Sequence, residues 1–143
     1  MRMIEQEIIQ AIRDRKSFST SYIKDMYGKK EGRRDVLQWS EHDTFLYLLW
    51  GHEIAAGDLV EKTLEISDCG YPTATTKSRL NAIFAALDIP VTCSVHKKSM
   101  RWYVNGVMSS GLGKQTLKAG EWTVKISQGE GNGWKDLYNR KRS

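Results

Sequence analysis

The sequence predicts an α+β domain, mostly helical, with β-hairpins toward its C-terminus. Three observations lead there. Apolar residues recur at helical spacing near the N-terminus (Ile4, Ile8, Ile12) and again at Leu80, Ile83, Phe84 and Leu87. Past Pro90 the period changes to two, in Val91, Cys93, Val95 and in Trp122, Val124, Ile126. With 40% hydrophobic residues and only two prolines, the chain can build a core rather than remain disordered.

Taken in order, residues 3–15 read as an amphipathic helix that ends at Lys16 and Ser17. Ser19 or Thr20 then caps a short second helix carrying Ile23, Met26 and Tyr27, which Gly28 closes. Residues 29–34, KKEGRR, read as a polar basic loop and the best linker in the chain. Ser40 and Asp43 give the capping signal for a central helix over 41–56, with Phe45, Leu48, Leu49 and His52 on one face. Asp58 caps another helix over 59–66, and DCGYP at 68–72 is a turn. Thr75 or Thr76 starts the Leu80/Ile83/Phe84/Leu87 helix, which Asp88 and Pro90 stop. A hairpin follows, turning at 97–99 and returning over 101–104, and a second hairpin spans 114–127 around Ala119 and Gly120. GEGNG at 129–133 reads as a loop before a basic terminus, NRKRS.

These elements fall into three parts. Residues 1–34 form a helical segment that packs on the core or makes a homodimer contact. Residues 35–106 are the core. Residues 107–143 are a hairpin and basic tail.

Charge also divides the chain into three, sharing only the boundary after residue 34. Residues 1–34 hold nine Lys/Arg and five Asp/Glu, residues 35–70 hold one and eight, and residues 71–143 hold twelve and four. The net charge of +5 and pI near 9.2 thus hide a strongly acidic middle between two basic ends. Such asymmetry predicts a polyanion-facing surface. Cys69 and Cys93 are too few for a disulfide framework, Glu5, Glu7 and Gln10 interrupt any apolar leader, and no apolar run is longer than the six residues of Phe45–Trp50. The expectation is a soluble cytoplasmic protein with no membrane partner.

The order helix, helix, turn, helix, hairpin over residues 41–104 resembles the winged helix-turn-helix family, although its turn, 67–74, is long for such a unit. The resemblance implies binding to double-stranded DNA. Thr75, Thr76 and Ser78 would meet phosphate at the helix start, and Lys77, Arg79 and Asn81 would face the bases, where Arg pairs with guanine and Asn with adenine. Lys97, Lys98 and Arg101 would hold the backbone from the wing. The expected role is regulatory, in a size and style common among phage and mobile-element proteins.

Other chemistry has less support. Cys93 and His96 would point to opposite faces of a strand, away from a shared metal with Cys69, His42 or His52, so no metal is expected. SSGLGKQT at 109–116 departs from a phosphate loop because Gln115 follows Lys114, and no cofactor is expected. Glu53, Asp58, Glu61 and Glu65 lack the spacing of a metal-dependent nuclease, so no catalysis is expected. The rival reading is a protein that binds and inhibits or retargets a larger protein, such as a polymerase or nuclease, through Trp39, Tyr47 and Trp50.

Overall fold

The structure, a computed structural model, describes residues 3–25, 29–97, 99–109 and 114–127, with the backbone alone over 21–25 and 29–33. Helix α1 (Met3–Asp14) leads into a run of five strands: β1 (Phe18–Asp25), β2 (Lys29–Trp39), β3 (Thr44–Leu49), β4 (His52–Asp58) and β5 (Thr63–Ser67). Helix α2 (Ala74–Ala86) follows, then β6 (Val91–His96), β7 (Ser99–Val104), β8 (Val107–Met108), β9 (Gln115–Ala119) and β10 (Trp122–Ser127). A seven-stranded sheet runs β1-β2-β3-β4-β5-β10-β9, and β6-β7-β8 form a second, three-stranded sheet. The first five strands make an antiparallel meander. β10 returns to lie parallel to β5, Val124 opposite Leu64 and Ile126 opposite Ile66.

The mostly helical fold is therefore corrected to a predominantly β one, and the winged helix-turn-helix resemblance with it. The strands β3, β4 and β5 stand where that unit needs two helices. The cause is local. The six-residue apolar run Phe45–Trp50 suits a strand buried on both faces as well as a helix, and periodicity alone does not separate the two. Here Phe45, Tyr47 and Leu49 join the main core, while Leu46 and Leu48 pack with Ala56 on the opposite face of the sheet. The expected caps serve turns instead. Ser40 Oγ accepts from His42 N–H at 3.1 Å and bonds the Thr44 hydroxyl. Asp58 Oδ1 accepts from the N–H groups of Val60 and Glu61, both at 3.0 Å, in the turn before β5. The expected second helix and the basic loop at 29–34 are β1 and β2.

The helical patterns at the two amphipathic stretches do form helices. α1 buries Ile8 and Ile12, and α2 buries Leu80, Ile83 and Phe84, in one core with Leu37, Tyr47, Leu64, Ile66 and Val124 of the large sheet. Val91, Cys93, Met100 and Trp102 of the small sheet join the same core. α2 is capped by Thr73, one position before the helix, whose Oγ1 accepts from Thr76 N–H at 3.2 Å. Gly57 pairs across from Phe45 and the ring lies over it, so a Cβ there would run into the ring. Among the described residues no helix is long and apolar enough to cross a membrane. Residues 26–28, Lys98, the 129–133 loop and the basic terminus lie outside the described residues.

Candidate nucleic-acid interface

β1 and β2 pair from Phe18 with Leu37 to Asp25 with Lys29, whereas β3 pairs with β2 only from Asp35 to Trp39. Residues 21–25 and 29–33 therefore continue as a two-stranded ribbon past the end of β3. Residues 21–34 carry Lys24, Lys29, Lys30, Arg33 and Arg34 against Asp25 and Glu31. The register sets Lys24 opposite Lys30.

The base of this ribbon touches the β3–β4 turn, where Trp50 N–H donates to the Arg34 carbonyl at 2.7 Å. Leu49 pairs with His52, leaving Trp50 and Gly51 as a two-residue turn with φ 53° and 81°. Positive φ at both positions makes a type I′ hairpin turn, in which Asn-Gly is preferred because Asn tolerates the left-handed region. A tryptophan is an uncommon choice there, and its side chain is not hidden, since Trp50 is 49% exposed.

Beside Trp50 lies a cavity of about 360 Å³ between the β3–β4 turn and the start of α2. Leu49 and Ile54, both buried, form its apolar wall. The His52 and Tyr71 rings lean together at its mouth, centroids 4.8 Å apart. Its polar lining comes from Asp68, Thr73, Thr75 and Thr76, with Asp68 Oδ1 also accepting from Gly70 N–H at 2.9 Å.

The expected base-reading residues of α2 are placed differently. Arg79 is 2% exposed. Its Nε and Nη2 donate to the two oxygens of Asp35, at 2.8 and 3.2 Å. Arg34 Nε donates to Asp35 Oδ2 at 2.7 Å, Tyr47 Oη to Oδ1 at 2.8 Å and Thr20 Oγ1 to Oδ2 at 3.3 Å. Burial alone would raise the Asp35 carboxyl, but the hydrogen bonds from Arg79, Arg34 and Tyr47 outweigh it and hold it below the ordinary carboxylate value. Burial, then the Asp35 charge, pushes the Tyr47 phenol far up. Burial opposes the Arg79 charge, yet its bonds to Asp35 raise it above the usual value. Arg79 and Tyr47 thus fasten α2 and β3 to β2 from the inside.

The neighbours of Arg79 are similarly engaged. Asn81 clasps β6, its Nδ2 donating to the Cys93 carbonyl at 3.0 Å and its Oδ1 accepting from Cys93 N–H at 2.8 Å. Ser78 Oγ donates to Glu5 of α1 at 3.0 Å, and Thr76 is buried. Thr75 and Lys77 are half-buried. Lys97 and Arg101 are exposed on the small sheet. Burial pushes the Cys93 thiol up to about 12. Of the aromatic trio, Tyr47 is fully buried and Trp39 packs on Phe45 at 5.1 Å between centroids, so Trp50 alone is exposed. Among the described residues no three His, Cys, Asp or Glu side chains gather as metal ligands would.

The structure brings forward the ribbon and the pair His52 and Tyr71, which the sequence alone does not mark as a site. A signal for the ribbon is present, because DVLQW at 35–39 sets the apolar Val36, Leu37 and Trp39 in a short run directly after the basic stretch. No curated protein and no solved structure matches the chain. A family model does match, over residues 1–130, and its description is Kyanoviridae Gp96 protein. With nearly the whole chain covered, the protein belongs to this phage family, the Kyanoviridae Gp96 proteins.

Proposed function

We propose that the protein binds nucleic acid, double-stranded DNA foremost, without catalysing its breakdown, and that the β1–β2 ribbon is the gripping element. One observation carries this reading: a two-stranded ribbon that leaves the sheet while holding Lys24, Lys29, Lys30 and Arg33 beyond the last residue of β3. A ribbon of that width enters a major groove, and each phosphate a cation neutralises releases counterions. The net charge of +5 supports the same direction. A regulatory role in a phage fits a binder of this kind. The rival reading, a protein partner held by Trp39, Tyr47 and Trp50, retains a single exposed anchor in Trp50.

The test is a fluorescence-anisotropy titration of a random-sequence duplex at two salt concentrations. Binding should weaken with salt. Replacing Lys24, Lys29, Lys30 and Arg33 by Ala should flatten the log–log slope by up to ~0.9 for each phosphate left without its cation. Circular dichroism checks that the variant remains folded. A parent protein that ignores the duplex at low salt sinks the reading. So does a ribbon variant that stays folded and binds as the parent does.

A further inference from the structure

The cavity beside Trp50 is lined by residues outside the ribbon to which phosphate gripping is assigned above. We propose that it receives one unstacked nucleobase of a strand held by the ribbon, an inference that rests on the nucleic-acid reading above.

The size is right for one ring system with its sugar. At about 360 Å³ the cavity sits near the lower end of the ~300–1,000 Å³ that ligand pockets occupy. Its mouth is aromatic, with Trp50 and Tyr71 roughly half-exposed and His52 against Tyr71. Rings displayed this way are stacking platforms, and every base has a face to offer them. Its lining is mixed. Asp68, Thr73 and Thr75 line it together with the apolar Leu49 and Ile54. A flipped base has the matching anatomy, two apolar faces and one edge of donors and acceptors. The position is right as well, because the Trp50 N–H bond to the Arg34 carbonyl joins the rim of the cavity to the base of the ribbon. Finally, Trp50 occupies a left-handed turn position that disfavours bulky residues. A conformational outlier that keeps a large ring exposed points to a use for the ring.

The experiment compares a random-sequence duplex with the same duplex carrying one unpaired 2-aminopurine at its centre. Anisotropy reports affinity, and 2-aminopurine emission reports stacking. The bulged duplex should bind tighter by roughly 5- to 150-fold, the range an aromatic–base stack is worth, with its emission quenched. Trp50→Asn, which suits the turn, and Tyr71→Ala should each erase that advantage while leaving the fully paired duplex unaffected. Equal binding of the two duplexes by the parent, or an advantage that survives both variants, overturns the inference and leaves the ribbon reading standing. If neither duplex binds at low salt, both fall, and the exposed rings belong to a protein contact instead.

Discussion

Arg79 on α2 and Trp50 on the β3–β4 turn are built in opposite ways. Arg79 is a charged residue sealed inside, with Asp35 fully buried against it and hydrogen-bonded from Thr20, Arg34, Tyr47 and Arg79. Trp50 is a large apolar residue left half in water on a turn whose backbone suits it poorly. The first region obeys the rule that buried polar groups are satisfied. The second departs from two rules at once, burial of large apolar rings and turn chemistry. A residue's chemical suitability for base reading says little about its role, whereas a place where local rules are broken is where function is to be sought.

The strongest way to break this contrast is to remove Asp35. Asp35→Ala leaves the Arg79 guanidinium buried without its counter-charge, which costs about 3–5 kcal/mol, read as a drop in the urea midpoint. A loss below ~1 kcal/mol would mean that Arg79 escapes to solvent and is not an internal lock. Asp35→Leu combined with Arg79→Met should recover much of the loss, since a packed apolar pair replaces a buried ionic one at little cost. The pH dependence carries a sign. The folded carboxyl titrates below its unfolded value of about 3.9. Its contribution is therefore complete above that pH and disappears as pH falls through the folded value. Tyr47 works the other way. Its phenol is raised in the fold, so its contribution is complete below about 10 and is lost as pH climbs through the folded value. Tyr47→Phe should flatten the alkaline limb of the stability curve and also shrink the acid one, because it removes one of the hydrogen bonds that hold the Asp35 carboxyl down.

Two glycines sharpen the contrast at a smaller scale. Gly57 belongs to the packed region, where a methyl group would meet the Phe45 ring. Gly57→Ala should cost about 1–3 kcal/mol as an overpacking change, and Phe45→Leu in the same chain should return part of it. Gly51 belongs to the exposed turn, where a Cβ meets nothing within 4 Å and only the φ of 81° resists it. Gly51→Ala should cost ~1–2 kcal/mol, and no substitution at Phe45 should relieve it. If Phe45→Leu rescues both or neither, the two glycines are not there for different reasons.

The same division explains what can be read from the residues alone. α1, α2 and the β6–β7 hairpin are legible because each has an apolar period of one kind: Ile4, Ile8, Ile12; Leu80, Ile83, Phe84; Val91, Cys93 and Val95. The meander is not. Its strands β3 and β4 bury residues on both faces, so Phe45–Leu49 shows no alternation, and the acids around them imitate helix caps. Burial of Arg79 is beyond reach for another reason. Its partner Asp35 is 44 residues earlier, and no local pattern announces a long-range ion pair. Trp50-Gly51 escapes notice because a Gly after a Trp does not look like a type I′ turn until the left-handed φ of the tryptophan is known.

The smallest effect isolates that turn. Trp50→Asn and Trp50→Ala both delete the ring, so they should lose the unpaired-base advantage equally. They differ in the backbone. Asn visits the left-handed region readily and Ala does not, so the Asn variant should be more stable by about 1 kcal/mol, seen as a difference in thermal midpoint. Equal midpoints would mean that the turn relaxes out of its left-handed form once the ring is gone, and that the ring itself holds the strained backbone in place. A stable Asn variant that no longer takes the base would separate the two properties at one position. The turn would then be a scaffold that tolerates several residues, and tryptophan would be there for what it touches outside the protein.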